Sequence, residues 1–110
     1  MSDIREYVYN NRDNTIDMLL KEGGDAVDLS AVTRMVLLDL SEAWTVDSDV
    51  SAAAFDWDTG VTGKVIIALG DEGITAGTYK VKLIVYDAVN TDGIVWGSED
   101  DSFNIYVVDI

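Results

Sequence analysis

Gly77-Thr78-Tyr79-Lys80-Val81-Lys82-Leu83-Ile84-Val85-Tyr86-Asp87 decides how the rest of the chain is read. Its odd positions, Tyr79, Val81, Leu83 and Val85, form an unbroken apolar row. Its even positions, Lys80, Lys82, Ile84 and Tyr86, are mixed. A period of two is the mark of a β-strand with one face in a core and the other partly in water. A glycine turn leads into it, so the stretch is read as a long central strand.

Working outward, the same alternation recurs. Residues 15–20 place Ile16, Met18 and Leu20 on one side. Residues 63–69 place Val65, Ile67 and Leu69 facing in, and residues 102–108 alternate Phe103, Ile105 and Val107. Ile94, Val95 and Trp96 make a short strand. Residues 33–40 carry Val36, Leu38 and Leu40 on one face, with Met35, Leu37 and Asp39 opposite. Strand is the preferred reading there, since β-branched residues recur and the neighbours are strands. A helix capped by Ser30 is the alternative. Residues 50–57 are read as a strand weakened by three alanines, because alanine favours helix. A turn through Asp58, Thr59 and Gly60 makes a hairpin between this strand and the next. Residues 21–25, 41–48, 70–77 and 87–93 are read as turns and loops. The first dozen residues contain Tyr7, Val8 and Tyr9 amid polar residues and are read as an arm or a short edge strand.

About seven strands, with turn signals every 8 to 12 residues, are the pattern of an immunoglobulin-like antiparallel β-sandwich. The expected organisation is residues 1–12 as arm or edge strand and residues 13–110 as one all-β domain.

Composition narrows the chemistry. The chain has neither cysteine nor histidine. Disulfides and thiol chemistry are therefore excluded, as are the commonest neutral-pH base and the commonest transition-metal ligand. Proline is absent too, so turns fall to Gly, Asn, Asp and Ser. Twenty-one acids against seven bases give a net charge of −14. Such a surface repels nucleic acid and anionic lipid, so neither is expected as a partner. The acids maintain solubility, bind cations or meet a basic partner. No apolar run reaches the roughly 18–20 residues that span a bilayer as a helix. The amino end lacks the basic-then-apolar order of a secretion signal.

A family resemblance rests on Val27-Asp28-Leu29-Ser30-Ala31, Val36-Leu37-Leu38-Asp39-Leu40, Ala53-Ala54-Phe55 before Gly60 and Gly63, and Val65-Ile66-Ile67-Ala68-Leu69. Ala76-Gly77-Thr78-Tyr79 and Phe103-Asn104-Ile105-Tyr106-Val107 complete it. This order resembles the immunoglobulin-like domains of tailed-bacteriophage virion proteins, and is similar to the N-terminal domain of phage baseplate upper proteins. The resemblance implies a non-enzymatic structural subunit of a tail, baseplate or head. Its implied partners are other virion proteins or copies of itself. Its implied location is the virion, assembled in the host bacterial cytoplasm. It supplies no catalytic residue and no cofactor.

Several residues stand out individually. Tyr79, two residues after Gly77 at the mouth of the central strand, is placed to hydrogen-bond back to the preceding connection, as the tyrosine corner of sandwich domains does. Tyr7 and Tyr9 make the best candidate for a swapped or docking segment, one whose removal leaves the fold intact. Trp44 and Trp96 are candidates for interface anchors, for stacking on sugar, or for packing at the core rim. Asp56 and Asp58, two residues apart before Gly60, resemble the start of a calcium loop, but the further ligands of a full loop are missing. A calcium- or carbohydrate-binding module of a bacterial surface protein is thus the alternative function. The glycines between Gly70 and Gly77 lack the lysine and helix of a phosphate loop and read as a turn.

Overall fold

The computed structural model describes residues 4–22, 24–57, 63–96 and 103–109. In chain order the strands are β1 (Ile4–Tyr9), β2 (Thr15–Leu19), β3 (Lys21–Glu22), β4 (Asp25–Ala26), β5 (Val32–Asp39) and β6 (Thr45–Asp47). They continue with β7 (Phe55–Trp57), β8 (Lys64–Ala68), β9 (Gly77–Asp87), β10 (Ile94–Trp96) and β11 (Phe103–Val108). The protein is an all-β sandwich. β9 is its longest strand and takes partners along both edges. β5 pairs with one edge, while β11 and β10 share the other, opposite its first and second halves. β6 extends the sheet beyond β5, and β1 extends it beyond β11 in parallel. The second sheet has the order β2-β8-β7, and β3 and β4 form a separate two-rung hairpin.

The core lies between the two sheets. Val81, Leu83, Met35, Leu37 and Ile105 approach it from the larger sheet, and Ile16, Val65, Ile67 and Leu69 from the smaller. Each fully buried aliphatic side chain contributes roughly 1.5–3 kcal/mol. The alternations read on residues 15–20, 63–69 and 77–87 match these inward rows. In β5 the inward row is Met35, Leu37 and Asp39. The row Val36, Leu38 and Leu40 takes the outer face, where Leu40 is exposed. Segment 32–39 is strand rather than the alternative helix, because β9 and β6 supply it with two ladders of backbone partners.

Two segments depart from expectation for local reasons. Residues 50–57 are strand only from Phe55 onward. Ala52–Ala54 instead forms a 3-10 turn, closed by Ala54 N–H donating to Ser51 O at 3.0 Å. Three alanines carry little strand preference, and the turn drops Ala54 and Phe55 into the core. Thr45–Asp47, read as loop, pairs with Val36–Leu38 instead. With Val46 its single apolar residue, it has no alternation to display. The expected turn at Asp58 to Gly60 lies outside the described residues.

The amino-terminal stretch belongs to the sheet itself. Val8 is buried beside Val107, its register partner. Asn10 then ties β1 to two other segments: its Nδ2 donates to Ile74 O at 3.1 Å and to Asp109 Oδ1 at 2.6 Å. Asn11 takes a left-handed φ of 62° and turns the chain from the larger sheet into the smaller. Gly70 makes room for that turn, since a Cβ there would stand 2.0 Å from Arg12 O. Removing residues 1–12 would therefore strip a core side chain and a sheet edge. The expectation that the fold survives their loss does not hold for this packing.

Candidate docking face

The candidate site is the outer face of the larger sheet, and strand parity builds it. Val8, Ile105 and Val107 point inward, so their chain neighbours Tyr7, Tyr9 and Tyr106 point out. Tyr7 and Tyr106 are register partners on β1 and β11. Their rings stack at 5.3 Å, and Tyr9 stacks on Tyr7 at 6.4 Å. Tyr7 remains 55% exposed, an unusual position for so large an apolar ring. With ring faces turned toward one another, this ladder offers edges and hydroxyls to a partner. A sugar-stacking platform would need open ring faces. β1 also has no strand on its outer edge among the described residues, which leaves a row of backbone groups there.

Further across the face come Lys80 and Lys82 of β9, then Val95, 54% exposed on β10. Arg34 lies at the far end, its guanidinium 4.6 Å over the Tyr86 ring. Arg34 Nε donates to Asp47 Oδ1 at 2.9 Å, Nη2 completes the fork to Asp47, and Asp49 stands 3.4 Å away. The fork holds the Asp47 carboxyl below its ordinary range and pushes the guanidinium pKa up. A bidentate pair of this kind fixes the β5–β6 corner.

The inner side of the same sheet holds a different polar cluster. Tyr79, at the start of β9, donates its hydroxyl to Thr75 O at 2.6 Å. The rings of Trp44 and Tyr79 meet edge to face at 5.5 Å. Gly77 is ordinary strand here, with a would-be Cβ in normal contact with the Tyr79 ring, so the tyrosine fixes the corner. Nearby Asp39 is only 1% exposed. It accepts from Ser41 Oγ at 2.5 Å, from Ala43 N at 3.0 Å and from Ser41 N at 3.3 Å. Burial pushes its pKa up, but these donors outweigh burial and hold the carboxyl below its ordinary value.

The structure thus sorts the residues singled out from sequence. Tyr7 and Tyr9 are brought together on the outer face. Trp44 and Trp96 pack against the core from its rim. Asp56 is exposed on the outer face of β7, and Asp58 lies outside the described residues. Among the described residues no group of three or more acidic side chains is placed to hold a metal ion. A pocket of about 420 Å³ lies between Asn10, Gly70, Asp71, Ile74 and Asp109. The Asn10 Nδ2 is already committed there, to Ile74 and Asp109, while its buried Oδ1 has no partner among the described residues. Tyr106 was missed from sequence, although its parity opposite Ile105 and Val107 marks it as outward. Only the parallel register with β1 shows that it meets Tyr7.

Comparison with protein families and with curated proteins finds no match to this chain.

Proposed function

We propose that this chain is a non-enzymatic assembly module, an immunoglobulin-like sandwich that docks onto protein surfaces within a bacteriophage particle. The observation that carries the docking reading is the exposed tyrosine ladder Tyr7-Tyr9-Tyr106 beside an uncovered strand edge. Aromatic residues are enriched where protein interfaces are strongest, and an open edge accepts a further strand.

The strand order supports the immunoglobulin-like part. β2-β8-β7 runs as B-E-D, and β6-β5-β9 as C′-C-F, with β10 and β11 in the place of G. Tyr79 sits near the start of the F-like strand with its hydroxyl bonded four residues upstream, as a tyrosine corner does. Two residues on, where antibody domains carry a cysteine, stands buried Val81. Packing replaces the disulfide at that point.

The phage part is supported by the resemblance of residues 14–109 to virion sandwich domains. On this reading the protein belongs to the virion, is assembled in the bacterial cytoplasm, and has other virion proteins or its own copies as partners. Mass spectrometry of purified particles tests it: the chain should be present in multiple copies, and its absence overturns the phage reading. Replacing Tyr7 and Tyr106 by serine should leave the protein folded and stop its incorporation. Normal incorporation of that variant overturns the docking reading.

A further inference from the structure

Two of the chain's five tyrosines are placed to react with each other. Tyr7 on β1 and Tyr106 on β11 are register partners in parallel strands. Their rings stand 5.3 Å apart and within 25° of parallel. Offset stacking at that separation brings ring edges into van der Waals contact. Parallel, in-register strands send both side chains the same way, so like carbons of the two rings run side by side. The next register pair, Val8 and Val107, is buried and fixes the two strands beneath the rings. Tyr7 is exposed, so a one-electron oxidant reaches its ring from solvent.

The other tyrosines are less well placed. Tyr9 stacks on Tyr7 at the longer distance of 6.4 Å. Tyr86 lies under the Arg34 guanidinium, and a positive charge over a ring opposes loss of an electron from it. Tyr79 is half-buried, with its hydroxyl bonded to Thr75 O. The chain has no cysteine, so no thiol drains a tyrosyl radical. We propose that Tyr7 and Tyr106 form an oxidative cross-linking site, which hydrogen peroxide and a one-electron peroxidase convert to dityrosine. Each phenol gives up one electron and its hydroxyl proton. The two phenoxyl radicals couple through the carbons ortho to oxygen, and one C–C bond forms. The hydrogens on those carbons then move to the oxygens, which restores both aromatic rings and both hydroxyls. The peroxide takes up the two electrons and two protons and leaves as two waters. The bond joins residues 99 positions apart, in a chain that has no disulfide. A cross-link spanning so long a segment restricts the unfolded chain far more than the folded one. It fastens β1 to β11 without a docked partner, so cross-linking and incorporation fail independently.

The test treats the folded whole chain with hydrogen peroxide and a haem peroxidase, at a dilution that suppresses collisions between copies. The expected product is a monomer with dityrosine fluorescence. Its tryptic peptides holding Tyr7 and Tyr106 should be joined and should lack two hydrogens. Its melting midpoint should rise by about 10 °C or more. Tyr7→Phe and Tyr106→Phe should each lose nearly all of this product, while Tyr9→Phe and Tyr86→Phe keep it. Circular dichroism melts confirm that each variant is folded before yields are compared. A photo-oxidised ruthenium complex with persulfate, which works in urea, supplies the control: the unfolded chain should lose the preference for this pair. A folded wild type that gives no intramolecular dityrosine overturns the proposal, as does cross-linking between copies only. So does a Tyr7→Phe or Tyr106→Phe variant that keeps the yield, or an unfolded chain that keeps the preference. A cross-linked monomer that melts no higher than wild type overturns the fastening of β1.

Discussion

Tyr79 and Tyr7 stand on the same sheet and serve it in opposite ways. Tyr79 is on the inner parity of β9, half-buried, with its ring against Trp44 and its hydroxyl bonded to Thr75 O. Tyr7 is on the outer parity of β1, with more than half its surface in water. Residue type is the same; parity, and the strand opposite, decide the role. Around Tyr79 its own hydroxyl and the Asp39 carboxylate are satisfied internally, while the buried Trp44 Nε1 has no partner among the described residues. Around Tyr7 the hydroxyls and the strand edge face outward, where a partner can use them. The comparison separates what holds the domain together from what the domain offers.

The largest way to break it is at Val8, the inward neighbour of Tyr7. Val8→Asp should place an unpaired charge in the core and remove at least about 4 kcal/mol, enough to abolish a cooperative melt. A variant that melts near wild type would show that β1 is not integral to the sheet.

Asp39→Asn comes next. It keeps the shape but weakens the acceptor of three donors, and should cost about 1–3 kcal/mol at neutral pH by denaturant titration. Its pH dependence sharpens the point. Asp39, Asp47 and Asp87 all have folded pKa values below the ordinary 3.8. For Asp87 the chief cause is the Asn90 backbone N–H. The unfolded chain therefore takes up protons first as pH falls. Their contribution is complete above about 3.8 and is lost as pH falls through the lower folded values. Wild type should lose stability in acid, and the gap to Asp39→Asn should narrow there. Glu6 runs the other way. Its pKa is raised above 4.5 by burial and by Asp17, so its contribution is present below 4.5 and lost as pH rises through the folded value.

A smaller effect is expected at the corner. Tyr79→Phe should cost about 0.5–1.5 kcal/mol, the range of one hydrogen bond. An unchanged denaturation midpoint would reduce Tyr79 to a packing residue. The smallest stability effect belongs to Tyr7→Ser, within about 0.5 kcal/mol, since the ring is largely in water. The same change should abolish docking. A Tyr7 variant that destabilises as much as Tyr79→Phe would erase the distinction between the two tyrosines.

Legibility in the sequence followed local order. Val81-Leu83-Val85, Ile16-Met18-Leu20 and Val65-Ile67-Leu69 announced their strands, because alternating burial imposes a period of two on any strand covered on one face. Tyr79 was legible for a related reason: its place just after the turn before β9 fixes where its hydroxyl can reach. Thr45–Asp47 was not legible, since three residues with one apolar member carry no period, and its strand exists through β5 alone. Residues 33–40 showed both rows apolar, so which row faced inward awaited the position of the second sheet. The docking face was half legible: Tyr7 and Tyr9 attracted notice as aromatics among polar residues, while Tyr106 acquired meaning only beside them.

By itself, then, the sequence determined the all-β class, the central strand with its inward row, and a surface dominated by acid. These depend on composition and on near neighbours along the chain. Tertiary structure alone decided that β1 runs parallel to β11 and brings Tyr7 onto Tyr106, though 99 residues separate them along the chain. It alone placed Arg34, Lys80 and Lys82 on one face and Asp17 and Asp56 on the other. Such juxtapositions come from pairing and sheet order, which join distant segments through backbone hydrogen bonds common to every residue.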